Sequence, residues 1–582
     1  MEKRWKIKND FQSDREILDW QKAMTEKGKN YSLVILQLLK NRGIRDEKEI
    51  DGFFSFDYEK DIPDPFLFED MEKAVARIIE AQGKKEKIAV FGDYDADGVT
   101  ATALVIQTLE ELGFSGVIPY IPDRQIEGYG MNNEALDFLE KKGVRLVITV
   151  DCGITSIEEV VRAKKAGVDV IITDHHHVPD KLPEALAIIN PHLKNSAYPF
   201  RELSGVGTAF KMMQALYQKM KPRETEKLKW LLDLVAIGTI ADCAPLLGEN
   251  RILVKYGLIV LSKTKRAGLL EMFKVGRIAI DENNLPNTQK VAFQIAPRIN
   301  AAGRMDHASI SFNLIMEKDR VRARELALEV EDTNQSRQKI TGEIVREVRA
   351  LADNSFKDKK LIFAYNEHWR VGILGLIAGK IADEFRKPTA IFQKQETEFV
   401  GSLRSVPQLN IIEALEKCSE FLIKFGGHAQ AAGVRVAEDK MEKFYKKLSG
   451  IIEGELSGKE MSPEIEIDME IKLQDMSWDM MADIKKMEPF GEGNAEPVFL
   501  AKDVVVEEIK IVGNGNKHIK LALRSKEGGP KIFDAIGFGM GEKFSGLKAG
   551  DIIKVVFNLQ EDEWNDSKKM QLKLIDLKLN KQ

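Results

Sequence analysis

Cysteine is scarce: only Cys152, Cys243 and Cys418 occur in 582 residues. They lie far apart and show no C-x-x-C spacing, which excludes a disulfide framework and a zinc cluster and fits a reducing compartment. A basic excess is also missing. Against 92 Asp and Glu stand 87 Lys and Arg, a net charge of −5 and a pI near 6.1. If nucleic acid is bound, the cations that meet it must be concentrated along a channel rather than spread over the surface. Apolar runs are short, residues 144–150 being among the longest, and the opening MEKRWKIKND has no apolar centre of the kind a secretory signal needs. A cytoplasmic protein without membrane contact is expected. Internal repeats and long low-complexity segments are lacking as well. What remains is 43% hydrophobic and 31% charged, a globular composition, over a length that calls for three or four domains.

Apolar strands and amphipathic helices alternate from residue 87 to 191. Strands are predicted over residues 87–91, 116–121, 144–150, 168–173 and 187–189, with helices between most of them, so a parallel sheet covered by helices is expected. Residues 204–316 read as mainly helical. Residues 320–353 contain no proline and one glycine, Gly342, and carry many alternating charges. They predict a long solvated connecting helix whose arginines face water. A second α/β pattern starts at Leu361, with strands over 361–365, 388–392 and 399–403, helices over 372–385 and 410–423, and then the glycine-rich FGGHAQAAG. After about Gly454 short alternating runs with turns such as GNGNK and SKEGG predict a small antiparallel barrel of the oligonucleotide-binding kind.

Chemistry collects at GDYDADG, where Asp93, Asp95 and Asp97 alternate before Gly98. The spacing is that of an EF-hand loop, but the twelfth position is Leu104 instead of a bidentate Glu, and an apolar strand rather than a helix leads in. Three later segments repeat the arrangement. VITVDCG places Asp151, VIITDHHH places Asp174, His175, His176 and His177, and LLDLVAIGTIADC places Asp242, each at the end of an apolar stretch. Taken singly, an Asp after a strand is most often a helix N-cap and three histidines a polar turn. Four such segments at one sheet edge are a stronger signal, since ligands bind beyond the carboxyl ends of parallel strands. Packed carboxylates repel one another unless cations neutralise them, and aspartate with imidazole suits manganese. Two divalent ions sharing a carboxylate, roughly 3.5–4 Å apart, are the expected arrangement.

These residues resemble the DHH phosphoesterase superfamily, whose motif stands here as Asp174-His175-His176, and within it the RecJ branch of single-strand-specific DNA exonucleases. GDYDADG, IPDRQIEGYG, DCGI and INAAGRM are similar to RecJ motifs of the catalytic lobe. VGILGLIAGKIA, GSLRS and FGGHAQAAG look like the DHH-associated domain, and MEPFGEGNAEPVF like the entry to the RecJ barrel. The resemblance implies an α/β fold with a parallel-sheet DHH catalytic lobe, a smaller α/β DHH-associated lobe joined by a long helix, and a C-terminal OB-like β-barrel. Expected boundaries are 1–60 for an N-terminal segment packing on the catalytic lobe and 61–318 for the DHH domain. The connecting helix would follow over 319–355, the DHH-associated domain over 356–456 and the OB fold over 457–582.

The resemblance further implies residue roles. Asp93, Asp95, Asp97, Asp151, His175 and Asp242 would hold two Mn2+ or Mg2+ ions, with Asp151 the bridge and Asp93 the weaker member. Asp151 and His176 would be catalytic, His176 lying near the phosphate as hydrogen-bond donor or proton partner, and His177 only a neighbour. Arg124, Arg298 and Arg304 would contact phosphate in the catalytic lobe, Arg298 and Arg304 sharing in catalysis. Ser402 and Arg404 would grip a 5′-terminal phosphate and His428 would line the path. In the barrel, Lys517, Lys520, Arg524 and Lys526 suit a single-strand backbone and equally suit a solvated hairpin. The implied activity is 5′→3′ degradation of single-stranded DNA to mononucleotides in recombination and repair. A single-stranded-DNA-binding protein and a helicase are expected partners, and a monomer the expected state. The other readings are a phosphoesterase of short oligonucleotides or cyclic dinucleotides, and a non-catalytic replication scaffold.

Overall fold

A computed structural model describes residues 3–8, 15–55, 57–459, 461–513, 515–528, 531–564 and 567–580. Parts of the expected turns GNGNK and SKEGG, at Asn514 and Gly529, lie outside the described residues. The chain divides into two compact units, Tyr58–Met461 and a second built from Met1–Asp57 with Ser462–Gln582.

In the larger unit, five parallel strands form the first sheet: β1 (Lys87–Gly92), β2 (Val117–Tyr120), β3 (Val144–Val150), β4 (Asp169–Thr173) and β5 (Ala187–Ile189), in the order β2-β1-β3-β4-β5. Their near-continuous apolar runs reflect a sheet buried on both faces. Helix α1 (Ala96–Glu111) follows β1, and α2 (Gly205–Met220) packs beside it. With β2 on one side of β1 and β3 on the other, the strand order changes direction between β1 and β3. The crevice at their carboxyl ends is where doubly wound sheets bind ligands.

Helix α3 (Leu232–Ala241) carries the apolar stretch before Asp242, which therefore follows a helix and not a strand. The expectation of four strand ends is corrected to three strand ends and one helix end. Residues 232–240 are buried on every side, and such a run has no 3.6-residue polar stripe to distinguish it from a buried strand.

Helix α4 (Ala296–Met305) leads toward α5 (Arg320–Asn354), the long connecting helix. Beyond it, α6 (Val371–Phe385) packs on a mixed sheet of β6 (Ile362–Asn366), β7 (Thr389–Lys394), β8 (Glu398–Arg404), β9 (Leu422–His428) and β10 (Ala431–Ala437), in the order β9-β10-β8-β7-β6. The helix predicted over 410–423 is shorter, Ile411–Glu416, and FGGHAQAAG forms most of an antiparallel hairpin.

In the second unit a closed five-stranded barrel is made by β11 (Phe499–Val512), β12 (His518–Ser525), β13 (Ile532–Gly537), β14 (Ile552–Trp564) and β15 (Ser567–Leu579), closure coming from β11 pairing with both β12 and β14. Residues 1–60 were expected on the catalytic lobe. Instead Ile17, Leu36, Leu39 and Ile50 share a core with Met480, Ile484, Phe499 and Phe557 of the barrel unit. Strand Arg4–Ile7 pairs in parallel with Glu464–Ile467, and Trp5 Nε1 donates to Asp576 Oδ2 at 3.0 Å. A barrel of five strands leaves apolar surface that these helices cover, a long-range pairing with no local signature.

Candidate active site

The turns after β1, β3 and β4 and the end of α3 bring seven ligand-type side chains together in three overlapping groups: Asp93, Asp95 and Asp151; Asp97, His175 and Asp242; Asp151, His175 and His176. Within each group the ligand atoms lie within 4.8 Å of one another. Asp151 and His175 each belong to two groups. All six expected ligands, Asp93 included, therefore converge. His177 is exposed and outside every group.

Each position has a local cause. Asp95 caps α1, its Oδ1 accepting from the Asp97 and Gly98 amides at 2.9 and 3.1 Å. The N-cap reading is thus true of Asp95 without removing it from the cluster. Asn300 Oδ1 accepts from the Ala96 amide at 2.8 Å and ties the same turn to α4. Asp97 accepts from the first two amides of α2, Gly205 at 2.7 Å and Val206 at 2.9 Å. Asp151 adopts the left-handed conformation with φ of 60°, which Asp tolerates better than most residues. Asp174 is fully buried and faces protein: it accepts from the amides of Ile154, His175 and His176 and pairs with His176 Nδ1 at 2.8 Å. It orients the histidines and is not in a ligand group.

Charge at the site is unresolved by protein alone. Burial and the charge of Asp95 hold Asp93 well above the usual carboxylate range. Burial and Asp95 lift Asp97 to about 7, against two amide bonds that lower it. Burial and Asp97 lift Asp242 to about 8, and the same causes raise Asp151. Burial and His176 push His175 down to about 4, whereas for His176 burial is outweighed by the Asp174 bond together with the charges of Asp174, Asp242 and Asp93, which bring it to about 9. Asp93 Oδ1, Asp151 Oδ1 and His175 Nε2 are buried with no hydrogen-bond partner, although the last two stand 3.1 Å apart. Acceptors that face one another without bonding are what a divalent cation satisfies, and hard oxygen with imidazole nitrogen suits manganese or magnesium. The residues fit two such ions.

This predicts a pH effect. The raised carboxylates favour the folded state below about pH 4, and that contribution is lost as pH rises toward about 7 for Asp97 and 8 for Asp242. Cation-free protein should melt lower at pH 8 than at pH 5, and saturating Mn2+ should restore about 5 °C at pH 8 and less at pH 5. Melting curves unmoved by pH and by manganese would contradict the repulsion.

Arginines surround the cluster. Arg124 lies 4.8 Å from the ring centre of Tyr94, the residue between Asp93 and Asp95. Arg304 Nη1 approaches the Gly372 carbonyl at 3.4 Å. In the second lobe, Arg404 Nη1 donates to Ser402 Oγ at 3.1 Å, and its Nη2 would stand 2.9 Å from a Cβ at Gly375, so glycine in the first turns of α6 is what admits it. His428 is exposed, in register with Ala431, which pairs with Arg404. Arg298 is committed elsewhere: Nε binds Glu331 Oε2 at 2.6 Å, and both side chains are nearly buried. Its expected catalytic and phosphate roles are not carried forward, because a guanidinium neutralised inside the protein has no surplus charge for substrate.

Sequence reasoning passed over Asn300, although INAAGRM contains it, and Tyr129, whose hydroxyl lies 3.0 Å from His176 Nδ1. In the barrel, Arg524 pairs with Glu507, leaving Lys517, Lys520 and Lys526 exposed. Lys502, Lys543, Lys554 and Lys578, dispersed in sequence, line one groove of about 1100 Å³ on β11, β14 and β15.

The chain matches the DHH family N-terminal domain over residues 87–239, the DHHA1 domain over 358–454 and the RecJ OB domain over 467–576. It is 36% identical over 575 residues to the single-stranded-DNA-specific exonuclease RecJ of Bacillus subtilis, covering 98% of this chain and 70% of that protein. With the RecJ of Haemophilus influenzae it shares 33% over 556 residues, 93% of this chain and 95% of the other. The crystal structure of Thermus thermophilus RecJ in complex with Mn2+ aligns with a TM-score of 0.81 at 26% identity, covering 100% of this chain and 80% of that one. A structure of exonuclease RecJ bound to manganese aligns at 0.59 with 31% identity, over 69% of this chain and 98% of that one. Among the described residues no helix is long and apolar enough to cross a membrane.

Proposed function

The chain belongs to the RecJ family of single-stranded-DNA-specific exonucleases, and from that premise we propose that it degrades single-stranded DNA 5′→3′ to mononucleotides with two Mn2+ or Mg2+ ions. The observation that carries the metal assignment is the set of buried, unbonded ligand atoms on Asp93, Asp151 and His175. Asp93, Asp95 and Asp151 would hold one ion and Asp97, His175 and Asp242 the other, with Asp151 shared. Bound there, such ions supply a water of lowered pKa and offset charge on the leaving oxygen.

The chain's own residues do the rest. Asp174 and Tyr129 both engage His176 Nδ1, at 2.8 and 3.0 Å, so Nε2 is the nitrogen available to a phosphoryl oxygen. Its bond to Asp174 favours the protonated ring against the effect of burial, which suits His176 to the role of donor. Arg124 and Arg304 hold phosphate oxygens, and Arg404 with Ser402 holds a 5′-terminal phosphate; guanidinium suits both because it binds two oxygens at once. His428 borders the path on the neighbouring strands. A single-stranded-DNA-binding protein, a helicase, a monomeric state, a cytoplasmic location and work in repair and recombination belong to the same reading.

The test is hydrolysis of end-labelled single-stranded DNA, duplex, RNA and a cyclic dinucleotide with Mn2+ or chelator. Mononucleotides released first from the 5′ end of single-stranded DNA are expected. Preference for the cyclic dinucleotide would replace the reading with a small-substrate phosphoesterase, and no turnover with any would leave a scaffold. Arg404→Ala should lower the preference for 5′-phosphoryl over 5′-hydroxyl ends by about 10- to 100-fold, the value of a hydrogen bond to a charged group. An unchanged end preference would remove Arg404 from that role.

A further inference from the structure

Three consecutive polar residues, Glu249, Asn250 and Arg251, lie in the first turn of the helix Gly248–Ser262, and all three are buried, at 3%, 0% and 2% exposure. None belongs to a ligand group. A polar side chain is carried into a protein interior only where partners compensate it. For Asn250 the partners are two backbone carbonyls: its Nδ2 donates to Glu202 and, at 3.1 Å, to Pro245. Two acceptors fix which end of the amide faces them, since its oxygen in that place would be repelled by both. Glu249 beside it accepts from the Tyr198 hydroxyl at 2.6 Å and pairs with Lys211 of α2 at 3.1 Å. The helix that carries Asn250 is thereby fastened to α2.

The two carbonyls belong to segments that meet at the cluster. Residues 202–206 lead into α2. A backbone hydrogen bond joins Leu203 to the His175 ring, whose Nε2 is left without a partner, and the Gly205 and Val206 amides hold Asp97. Residues 239–245 close α3. There Ala244 donates its amide to the Thr239 carbonyl, Cys243 is left-handed with φ of 58°, and Asp242 sits within the turn. A second link joins the same two segments, Ser204 Oγ lying 2.7 Å from Thr239 Oγ1 with both side chains fully buried. Asp97, His175 and Asp242, which form one ligand group, are thus all set by one junction. Asp93, Asp95 and Asp151 lie instead on the turns after β1 and β3.

We propose that Asn250 is a positioning residue for the ion held by Asp97, His175 and Asp242: by clamping the Glu202 and Pro245 carbonyls it sets the separation of the segments that aim these three side chains. The inference rests on the reading of the cluster as a two-ion site. The hydrogen bonds of Asn250 go to backbone, so it acts on the ligands through the chain and not by contact. An amide suits the task because its two N–H groups bridge two carbonyls in fixed geometry, which a hydroxyl with one hydrogen cannot. Groups that orient metal ligands contribute about 10- to 100-fold in metal affinity, and one acting through backbone belongs at the lower end.

The experiment titrates Mn2+ into full-length protein without DNA, the free ion being read by electron paramagnetic resonance. Wild-type protein should bind two ions. Asn250→Leu, which keeps the bulk and removes both donors, should weaken one of them by about tenfold and leave the other within about threefold. Asp242→Asn identifies the ion: in that background Asn250→Leu should cause no further loss at the remaining site, because both changes act on the same ion. If Asn250→Leu lowers the melting temperature, Thr239→Val, which breaks the link to Ser204, carries the test and must weaken the same ion alone. Equal weakening of both ions, as a general loosening of the fold would give, unchanged affinity for both, or further loss in the Asp242→Asn background would overturn the role. Failure of the underlying reading is distinguishable, since wild-type protein would then bind fewer than two ions whatever is done at Asn250.

Discussion

Asp151→Asn should lower the rate of single-stranded DNA hydrolysis by on the order of 10³-fold, equivalent to about 4 kcal/mol of barrier, while affinity for the strand stays within about threefold. Asp151 is shared by two ligand groups, and its Oδ1 stands 3.1 Å from His175 Nε2 with no hydrogen bond to satisfy either atom. In the proposed arrangement Asp151 bridges the two ions, so removing its charge would weaken the hold on both at once. Asparagine is the informative replacement. The residue has φ of 60° and its amide donates to Thr173 at 3.0 Å; Asn accepts that backbone conformation, whereas Ala would add strain unrelated to metal. Single-turnover hydrolysis with manganese, alongside anisotropy, separates chemistry from binding. Manganese-dependent turnover within tenfold of wild type would refute the shared carboxylate.

Gly205→Ala should cost about 100-fold in activity although the residue carries no functional group. A Cβ there would lie 2.3 Å from Asp151 Oδ1 and 2.6 Å from its Cβ and Cγ. The Gly205 amide also donates to Asp97 at 2.7 Å. The methyl must displace Asp151, the start of α2, or both, so carboxylates of both proposed ion sites move. Displacements of about 1 Å at a reacting centre cost around 10²-fold, while the overpacking itself costs about 1–3 kcal/mol of stability. Gly342→Ala on the connecting helix is the control, since nothing lies within 4 Å of a Cβ there. It should leave turnover unchanged and raise stability by up to about 1 kcal/mol. Near-normal activity in Gly205→Ala would show that the site tolerates displacement of Asp151.

The parts of the site that could be read in advance are local. Asp93, Asp95 and Asp97 follow one strand within five residues, and Asp151 and His175 each follow another, so apolar run, turn and carboxylate are visible in a single window. Parallel pairing then sends these ends to one edge. Asp242 shows the same pattern, yet it reaches the cluster from the end of a helix and not of a strand. Arg298 and Arg337 show the opposite failure. Both are arginines in helical segments, and nothing nearby in sequence distinguishes the one that pairs with Glu331 from the one left with a buried, unbonded Nε. The N-terminal helices likewise pack on a barrel more than 400 residues away in sequence, with no local mark of that choice.

The sequence by itself determined which chemical groups stand at the ends of which strands, because β-strand periodicity and turn chemistry act over a handful of residues. It thereby determined the sheet, the barrel and the proposed metal chemistry. Only the tertiary structure decided how charges are shared: that Asp97 is held by the amides of α2, that Asp174 turns inward to hold His176, and that Arg298 is paired with Glu331. The reason is physical. An ion pair or a buried, unmatched donor is a property of two surfaces brought together by packing, and the energy that selects between them is exerted across space between residues that never share a window of sequence.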